Sequence, residues 1–179
     1  LLSAFINGWA FPVRSVVVIV GTILLLAIVF HFVKSNSYSI AQKNIIVPVA
    51  AMCFSFFLLN SNFYPQLLTY QGGNELAFAS KGKIDPAKVY YWQADYSSSF
   101  AFYTVTLHKN LADSVLQPGQ TTWIIYDTRD EREILNAGYT LNKHFATPDY
   151  EITKLDIKFM NPAKREKKCK TMVLAEISR

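Results

Sequence analysis

The sequence predicts a membrane α-helical hairpin of two transmembrane helices, followed by a small α/β extracytoplasmic domain with a mostly parallel sheet. Three observations predict this fold class. Two apolar runs lie in the first third of the chain, all thirteen acidic residues lie at or after Glu75, and strand-like segments then alternate with helix-like ones. The predicted divisions are the hairpin at 1–62 with spans at about 15–33 and 45–60, an amphipathic connector at 63–83 and the α/β domain at 84–179.

The longest apolar run covers residues 15–33, nineteen residues without a formal charge between Arg14 and Lys34. A helix rises about 1.5 Å per residue, so this run would cover about 28 Å, close to the hydrocarbon thickness of a bilayer. A water-soluble helix would show a polar face at helical spacing, and this run shows none. A buried core helix is the alternative, and the length and uniform apolarity favour a membrane span.

The second apolar run is shorter but pairs naturally with the first. Residues 45–59 hold fifteen uncharged residues, and the uncharged residues that follow extend the run toward the interface. Pro48 lies in the first turn, where its missing N–H costs little. The loop between the runs carries Lys34 and Lys43 and no acid, which favours the cytoplasmic side, although Arg14 on the other flank opposes this with one charge. The domain that follows is therefore predicted to face outward, which means the periplasm if the source is a Gram-negative bacterium.

The beginning of the chain does not resemble a secretory signal. It starts at Leu1, has no basic segment before its first apolar residues, and contains no methionine before Met52. Trp9 and Phe11, just before Pro12, are typical of the end of an apolar or interfacial segment. We therefore expect this chain to be the C-terminal part of a longer polypeptide; the alternative is an isolated small membrane protein whose initiator has been removed.

Charge and cysteine usage exclude several classes of function. The net charge of +5 divides into +3 before Glu75 and +2 from there on, so the basic pI is not a nucleic-acid footprint. Cys53 lies in the second apolar run and Cys169 in the charged tail, which predicts neither a disulfide nor a metal site. There is no glycine-rich phosphate loop, no histidine pair at i and i+4, and no nucleophile elbow.

The last hundred or so residues are long enough for one small domain with its own core. The residues before them, 64–79, have apolar positions near helical spacing interrupted at Gly72 and Gly73. Within the tail, β-branched and aromatic runs predict strands, and cap residues followed by apolar periodicity predict helices. The predicted strands are 88–93, 121–126, 139–145, 152–159 and 171–177, and the predicted helices are about 97–111, 127–137 with a stop at Gly138, and a basic one at 163–168.

Three groups of residues are candidates for ligand contact. Asp127 and Asp130 follow the clearest strand, and ligands often lie at the carboxyl ends of strands in open α/β sheets; the alternative is a capped, solvated helix start. Arg165 lies in a basic run that could meet a lipid phosphate; the alternative is an exposed helix face. An aromatic group resembles a sugar-stacking platform in composition, and the alternative is that it fills the core or rests on the membrane-embedded part: Tyr90, Tyr91, Trp92, Tyr96, Phe100, Phe102 and Tyr103.

The order of these segments resembles the C-terminal end of the bacterial integral-membrane glycosyltransferases of the aminoarabinose-transferase and protein-mannosyltransferase superfamily. The resemblance covers most of the chain, and each motif is short. The motifs are the last hydrophobic hairpin, Asn62-Phe63-Tyr64-Pro65-Gln66-Leu67-Leu68, Val89-Tyr90-Tyr91-Trp92, Tyr96-Ser97-Ser98-Ser99-Phe100-Ala101-Phe102-Tyr103, a strand ending in Tyr126-Asp127, and Lys158-Phe159-Met160-Asn161-Pro162-Ala163-Lys164-Arg165.

The resemblance implies an enzyme that transfers a sugar from a polyprenyl-phosphate carrier to a lipid or protein acceptor on the outer face of the inner membrane. The family's catalytic carboxylates lie in outer loops between early transmembrane helices, and no residue here matches that motif. We therefore assign no catalytic residue, metal site or cofactor to this chain, and a divalent metal would belong to the upstream part. The implied partners are membrane lipids and the polyprenyl-phosphate-linked donor, with no nucleic acid.

The absence of any carboxylate before Glu75 independently excludes an acid/base pair or a divalent metal site within this membrane portion. Two hypotheses remain. The first is the outer, regulatory or acceptor-shaping domain of a glycosyltransferase that uses a lipid-linked donor. The second is a non-enzymatic membrane-anchored binding or assembly subunit with an extracytoplasmic α/β domain.

Overall fold

The structure is a computed structural model that describes residues 9–13, 15–93, 95–111 and 116–179. The predicted apolar residues 1–8 and the flanking charge of Arg14 lie outside the described residues. The chain divides into two compact units. The first covers the described residues up to Leu67 together with Met160–Pro162, and the second covers those of Leu68–Phe159 and Ala163–Arg179.

The first unit is built on two long helices, α1 (Val16–Lys34) and α2 (Ile40–Leu58). A π-helical turn at Leu59–Phe63 and the short helix α3 (Tyr64–Leu68) continue α2 into a single helical run. Ser39 begins α2 with a capping box, in which its hydroxyl accepts a hydrogen bond from the Gln42 N–H and the Gln42 side chain accepts one from the Ser39 N–H. This cap explains why α2 begins before the predicted apolar run.

The two long helices approach each other closely where α1 has its glycine. A Cβ on Gly21 would lie 2.6 Å from the ring of Phe57, so a larger residue there would force the ring to move. Val16–Lys34 and Ile40–Leu68 are both long enough and apolar enough to cross a membrane. The predicted pair of long apolar helices is confirmed.

The second unit is built on a five-stranded sheet in the order β2-β1-β3-β5-β4. The strands are β1 (Val89–Tyr91), β2 (Lys109–Asn110), β3 (Thr121–Asp127), β4 (Thr140–Asp149) and β5 (Lys170–Ser178). β1 is parallel to β2 and to β3, whereas β5 is antiparallel to both β3 and β4. The prediction of a mostly parallel sheet therefore holds only for the first three strands, and the sheet is mixed.

Short helices connect the strands and cover the sheet. They are α4 (Gly72–Ser80), α5 (Ser98–Thr104), α6 (Glu131–Asn136), α7 (Ile157–Met160) and α8 (Pro162–Arg165), with 3-10 turns at Pro86–Lys88, Thr128–Asp130, Ile152–Lys154 and Glu166–Lys168. The predicted helix after β3 is confirmed, and it ends at Asn136, two residues before Gly138, whose φ of +85° suits glycine. The helix predicted to begin after Pro162 is confirmed as α8 and the 3-10 turn that follows it.

The sheet separates two apolar clusters, because successive side chains of a strand point to opposite faces. On one face, Leu76 of α4 and Phe100 of α5 pack with Ile125 and Leu174. On the other face, Ile134 of α6 packs with Ile124, Tyr126, Val173, Ala175, Ile177 and the loop residues Trp92, Leu111 and Leu116. The second unit thus has helices on both sides of one sheet.

Two predicted elements are wrong. The helix predicted over 97–111 ends at Thr104, because Val105 adopts a left-handed conformation with φ +53° and the chain then turns into β2. The strand predicted over 152–159 is a 3-10 turn followed by α7. Asp156 explains this, since its Oδ1 accepts a hydrogen bond from the Phe159 N–H at 2.6 Å and so begins a helical turn.

The helical break predicted at Gly72 and Gly73 falls earlier, at residues 69–71, and both glycines lie in the first turn of α4. A Cβ on Gly73 would lie 2.9 Å from the backbone nitrogen of Phe100. The glycine therefore permits close packing of α4 on α5 rather than interrupting a helix.

Candidate functional site

The strand register of the second unit brings charged residues together at one edge of the sheet. β1 and β3 are parallel neighbours, so Asp127, the last residue of β3, and Asp95, in the loop after β1, meet at the same edge. β5 runs the opposite way and begins where β3 ends, with Met172 opposite Asp127. β4 ends at that edge too, with Asp149 opposite Lys170.

Asp127 is the most buried of these carboxylates, with a side chain only 5% exposed. Its Oδ1 accepts a hydrogen bond from the Arg129 N–H at 3.0 Å, and its Oδ2 accepts from the Arg129 Nε at 2.9 Å. Lys170 Nζ lies 4.0 Å from the same Oδ2. Burial by itself would raise the pKa of Asp127, but the hydrogen bonds and charge of Arg129 outweigh it and hold the pKa below its ordinary value.

Asp95 has the opposite electrostatic environment. Its Oδ2 accepts a hydrogen bond from the Asp127 N–H at 2.8 Å. The pKa of Asp95 is raised to about 6: burial raises it most, the hydrogen bond from the Asp127 N–H lowers it, and a side-chain hydrogen bond and negative charge from Asp130 also raise it. Two neighbouring acids thus titrate far apart, which is the arrangement in which one carboxyl can hold a proton while the other stays ionised.

Asp149 completes the group on the side of α4. Its Oδ1 accepts a hydrogen bond from the N–H of Gly72, the first residue of α4, at 2.9 Å. Burial raises the pKa of Asp149, while this hydrogen bond and the charge of Lys170 lower it. A Cβ on Gly72 would lie 2.9 Å from the Cβ of Asp149, so a glycine is needed for this contact.

These residues line two adjoining hollows that share Tyr96, Asp149, Lys170 and Met172. The larger hollow has a volume of about 630 Å³ and is also lined by Tyr150 and by the hydroxyl-bearing residues Ser97, Ser98, Ser99 and Thr153. The smaller has a volume of about 110 Å³ and is closed by Asp95 and Asp127. We call the two hollows together the aspartate cleft. Its lining combines hydroxyls, carboxylates, tyrosine rings and the two lysines Lys168 and Lys170, which suits a polar ligand with several hydroxyl or amine groups.

The structure places the three predicted site residues differently. Asp127 lines the aspartate cleft, and Asp130 lies beside Asp95 at its margin. Arg165 is buried elsewhere in the same unit, where its guanidinium lies 5.2 Å from the ring centre of Tyr70 and 5.4 Å from that of Phe159. Its Nε also donates a hydrogen bond to the Phe159 carbonyl at 3.0 Å. These contacts give Arg165 a structural role, and its predicted contact with a ligand stays a prediction.

The predicted aromatic platform is divided among three locations. Trp92 and Phe100 are buried in the two apolar clusters. Tyr96 lines the aspartate cleft. Phe102 and Tyr103 are exposed on α5.

Sequence reasoning missed Asp95 and Asp149, and it grouped Lys170 with the basic run around Arg165 rather than with these acids. Asp149 and Lys170 lie opposite each other only because β4 and β5 pair antiparallel, whereas the sequence predicts a mostly parallel sheet. One signal in the sequence was that a basic run ending at Lys170 directly precedes the predicted strand 171–177. Asp95 lies in a short polar loop after β1, where nothing local separates a buried carboxylate from a solvated one.

Asp95 can exchange a proton in the aspartate cleft. The described part of the chain holds no group of three histidine, cysteine or carboxylate side chains placed to bind a metal ion. Comparison with known proteins adds no relative, since no family model, no curated protein and no solved structure matches this chain.

Proposed function

We propose that this chain is the C-terminal portion of a membrane glycosyltransferase. The enzyme would take a sugar from a polyprenyl-phosphate-linked donor and transfer it to a lipid or protein acceptor on the outer face of the inner membrane. The catalytic loops would lie upstream of this chain, and the second unit would face the periplasm and help to position the acceptor. The observation that carries the proposal is the succession of two exposed apolar helices and a folded polar unit in the order of motifs that resembles this superfamily.

The surface of the long helices supports a location in the membrane. Apolar side chains are exposed all along them, including Val17 at 77% and Ile40 at 80%. A helix that is apolar on all sides is stable only in a protein core or in lipid. The inner membrane would supply that environment.

The aspartate cleft supports a role in substrate contact rather than in chemistry. It offers hydroxyl and carboxylate groups of the kind that hydrogen-bond to sugar hydroxyls, with tyrosine rings at its rim. Asp127 and Asp130 would then contact the polar part of the acceptor. A transferase that binds its acceptor in an outer domain would use such a cleft without needing a catalytic residue in it.

The experiment deletes the gene for the native protein from the source cells. Mass spectrometry then compares the membrane lipids of these cells with those of the unaltered cells. If the proposal is right, one polyprenyl-phosphate-linked sugar accumulates, and the full-length native polypeptide returns its level to normal. The same polypeptide lacking residues 81–179 should remain in the membrane and restore transfer poorly. The exposed-residue variant Lys164→Ala is the matched control and should restore it fully.

Two outcomes would contradict the proposal. Unchanged levels of every lipid-linked sugar would exclude the transferase. An antibody against residues 81–179 that detects a membrane band at 20.3 kDa, the mass of this chain, would leave no room for upstream catalytic loops and would favour the binding or assembly subunit.

A further inference from the structure

A group of large apolar side chains that belong to neither apolar cluster is exposed on the second unit. Phe78 of α4 is 55% exposed, Phe102 of α5 is 76% exposed, and Val105 and Leu107 in the loop after α5 are 90% and 85% exposed. Tyr103 joins them, with its ring centre 4.8 Å from that of Phe78 and 5.2 Å from that of Phe102. We call these five residues the apolar patch. Large apolar side chains that are exposed in one part of a chain in this way mark an interaction surface.

The loop that carries Val105 and Leu107 is held in place at its base. His108 is buried, and its two ring nitrogens lie 3.1 Å from the Thr104 Oγ1 and 3.0 Å from the Val89 carbonyl oxygen. The His108 ring also packs on buried Phe100, 5.0 Å between centres. Thr104 and His108 thus hold the two ends of the three-residue loop together, so the loop presents Val105 and Leu107 in a fixed position.

Val105 itself is strained. Its φ of +53° places a β-branched residue in the left-handed region, where such side chains are rare and costly. A glycine or asparagine would adopt this conformation more easily. The chain therefore carries a valine, 90% exposed, at a position where backbone conformation alone favours another residue. Strained residues are over-represented at functional sites, which supports a use for this side chain.

Near the apolar patch in the sequence, the bases Lys81, Lys83 and Lys109 outnumber the acid Glu75, which lies one turn before Phe78 on α4. Residues 97–107 contain no charged side chain, and Lys81 and Lys83 follow Phe78 closely in the sequence. Lys81 lines, with Phe78 and Tyr103, a groove of about 430 Å³ next to the patch. The nearest acid after them, Asp85, caps the next turn through a hydrogen bond to the Ala87 N–H at 3.0 Å. Aromatic and aliphatic side chains beside lysines form the composition that binds at the headgroup level of an anionic bilayer.

We propose that the apolar patch inserts into the headgroup region of a bilayer that contains anionic lipid. Val105, Leu107 and Phe102 enter the acyl boundary, Tyr103 lies at the headgroup level, and Lys81 and Lys83 contact lipid phosphates. A protein partner would need acidic side chains placed opposite these lysines, whereas an anionic leaflet presents negative charge over its whole surface. The inference goes beyond the transferase proposal, because it concerns only how this unit contacts lipid and holds for a non-enzymatic subunit as well.

The test uses the full chain in nanodiscs of phosphatidylcholine and phosphatidylglycerol. Cys53→Ala and Cys169→Ser remove the native thiols, and Leu107→Cys then carries a polarity-sensitive fluorophore. Asn142→Cys, exposed on β4, is the matched control. We expect a blue-shifted emission at position 107, and quenching by doxyl-labelled lipids that is several-fold stronger than at position 142. Lys81→Gln with Lys83→Gln should reduce the quenching in anionic nanodiscs and change it little in phosphatidylcholine alone.

Two results would overturn the inference. Equal lipid quenching at positions 107 and 142, with equal access to iodide in water, would show that the patch remains in solvent. A label at 107 that is shielded from iodide but not quenched by the doxyl lipids would show that protein, such as a second copy of the chain, covers the patch instead. Near-UV circular dichroism checks that each labelled variant is folded, and both substitution sites are exposed.

Discussion

The backbone N–H of Asp127 donates a hydrogen bond to Oδ2 of Asp95 across 2.8 Å, which ties the loop after β1 to the last residue of β3. This contact places two acids side by side, and their different environments shift their pKa values in opposite directions. Arg129 holds the pKa of Asp127 low, whereas burial is the largest of the causes that raise the pKa of Asp95 to about 6. The cleft therefore changes its charge at mildly acidic pH through Asp95 while Asp127 remains ionised.

Asp95→Asn should remove a pH dependence of stability. The folded-state pKa of about 6 lies above the ordinary value of 3.8, so the folded chain binds this proton more tightly than the unfolded chain does. The stabilisation from protonated Asp95 is thus full below pH 3.8 and is lost as the pH rises through about 6. Asparagine stays neutral and its Oδ1 can still accept from the Asp127 N–H, so the melting temperature of the variant minus that of the native chain should rise across this window.

The measurement is thermal unfolding of the full chain in detergent, followed by near-UV circular dichroism as a function of pH. Glu166→Gln, which neutralises an exposed carboxylate, is the control and should leave the difference nearly flat. A flat difference for Asp95→Asn as well would mean that Asp95 is solvated and ionised as in a peptide.

Substitutions of Asp127 should separate its capping role from its ion pair. Asp127→Ala loses the hydrogen bond to the Arg129 N–H and leaves a buried space, so we expect a loss of about 1–2 kcal/mol in the free energy of unfolding. Asp127→Asn keeps an oxygen for that N–H and loses mainly the ion pair, and exposed Arg129 can then turn to solvent. Its loss should be smaller. Urea denaturation compares the two variants, and equal losses would assign the stabilisation to the charge.

Gly73→Ala tests the close packing of α4 on α5. Alanine has the higher helix propensity and would stabilise an unconstrained helix by up to about 1 kcal/mol. Here the new Cβ would lie 2.0 Å from the Ser97 Oγ, 2.2 Å from the Ser99 Oγ and 2.9 Å from the Phe100 nitrogen. The hydroxyls can rotate but the backbone cannot, so we expect a net loss of about 1–3 kcal/mol in the free energy of unfolding.

The companion variant adds Ser99→Ala to Gly73→Ala and should recover part of the loss, because it removes one of the two crowding hydroxyls. The measurement is again urea denaturation of the full chain. A stabilising effect of Gly73→Ala alone would mean that α4 lies farther from α5 than the structure has it.

Features that depend on local sequence could be predicted. Helix α1 follows from an uninterrupted apolar run, β3 from its β-branched and aromatic residues, and the end of α6 from Gly138. Each of these signals lies in one continuous segment of the chain, so the local sequence contains it in full. Asp127 could be predicted at the cleft for the same reason, because it directly follows the clearest strand.

Features that depend on long-range pairing could not be predicted. The insertion of β5 between β3 and β4 brings Lys170 beside Asp127 and opposite Asp149. No local pattern encodes which strand pairs with which, because strand pairing depends on how much apolar surface the whole sheet buries on its two faces. The same limit explains why Arg165 looks like an exposed base in the sequence, although the fold buries it between two aromatic rings.

Arg165→Lys should destabilise the second unit even though it keeps the positive charge. The guanidinium donates to the Phe159 carbonyl and lies over the rings of Tyr70 and Phe159, and a lysine ammonium cannot reproduce this flat arrangement. A hydrogen bond from a charged donor contributes about 1.5–3 kcal/mol, so we expect a loss in that range in the free energy of unfolding. Lys164→Met, at the exposed neighbouring position, should change the free energy of unfolding by less than about 0.5 kcal/mol.

If urea denaturation shows no loss for Arg165→Lys while binding of anionic vesicles by the full chain falls, Arg165 would be a lipid-contacting residue, as the basic run in the sequence suggested. A loss of stability with unchanged vesicle binding would instead establish that Arg165 holds α8 against Tyr70 and Phe159.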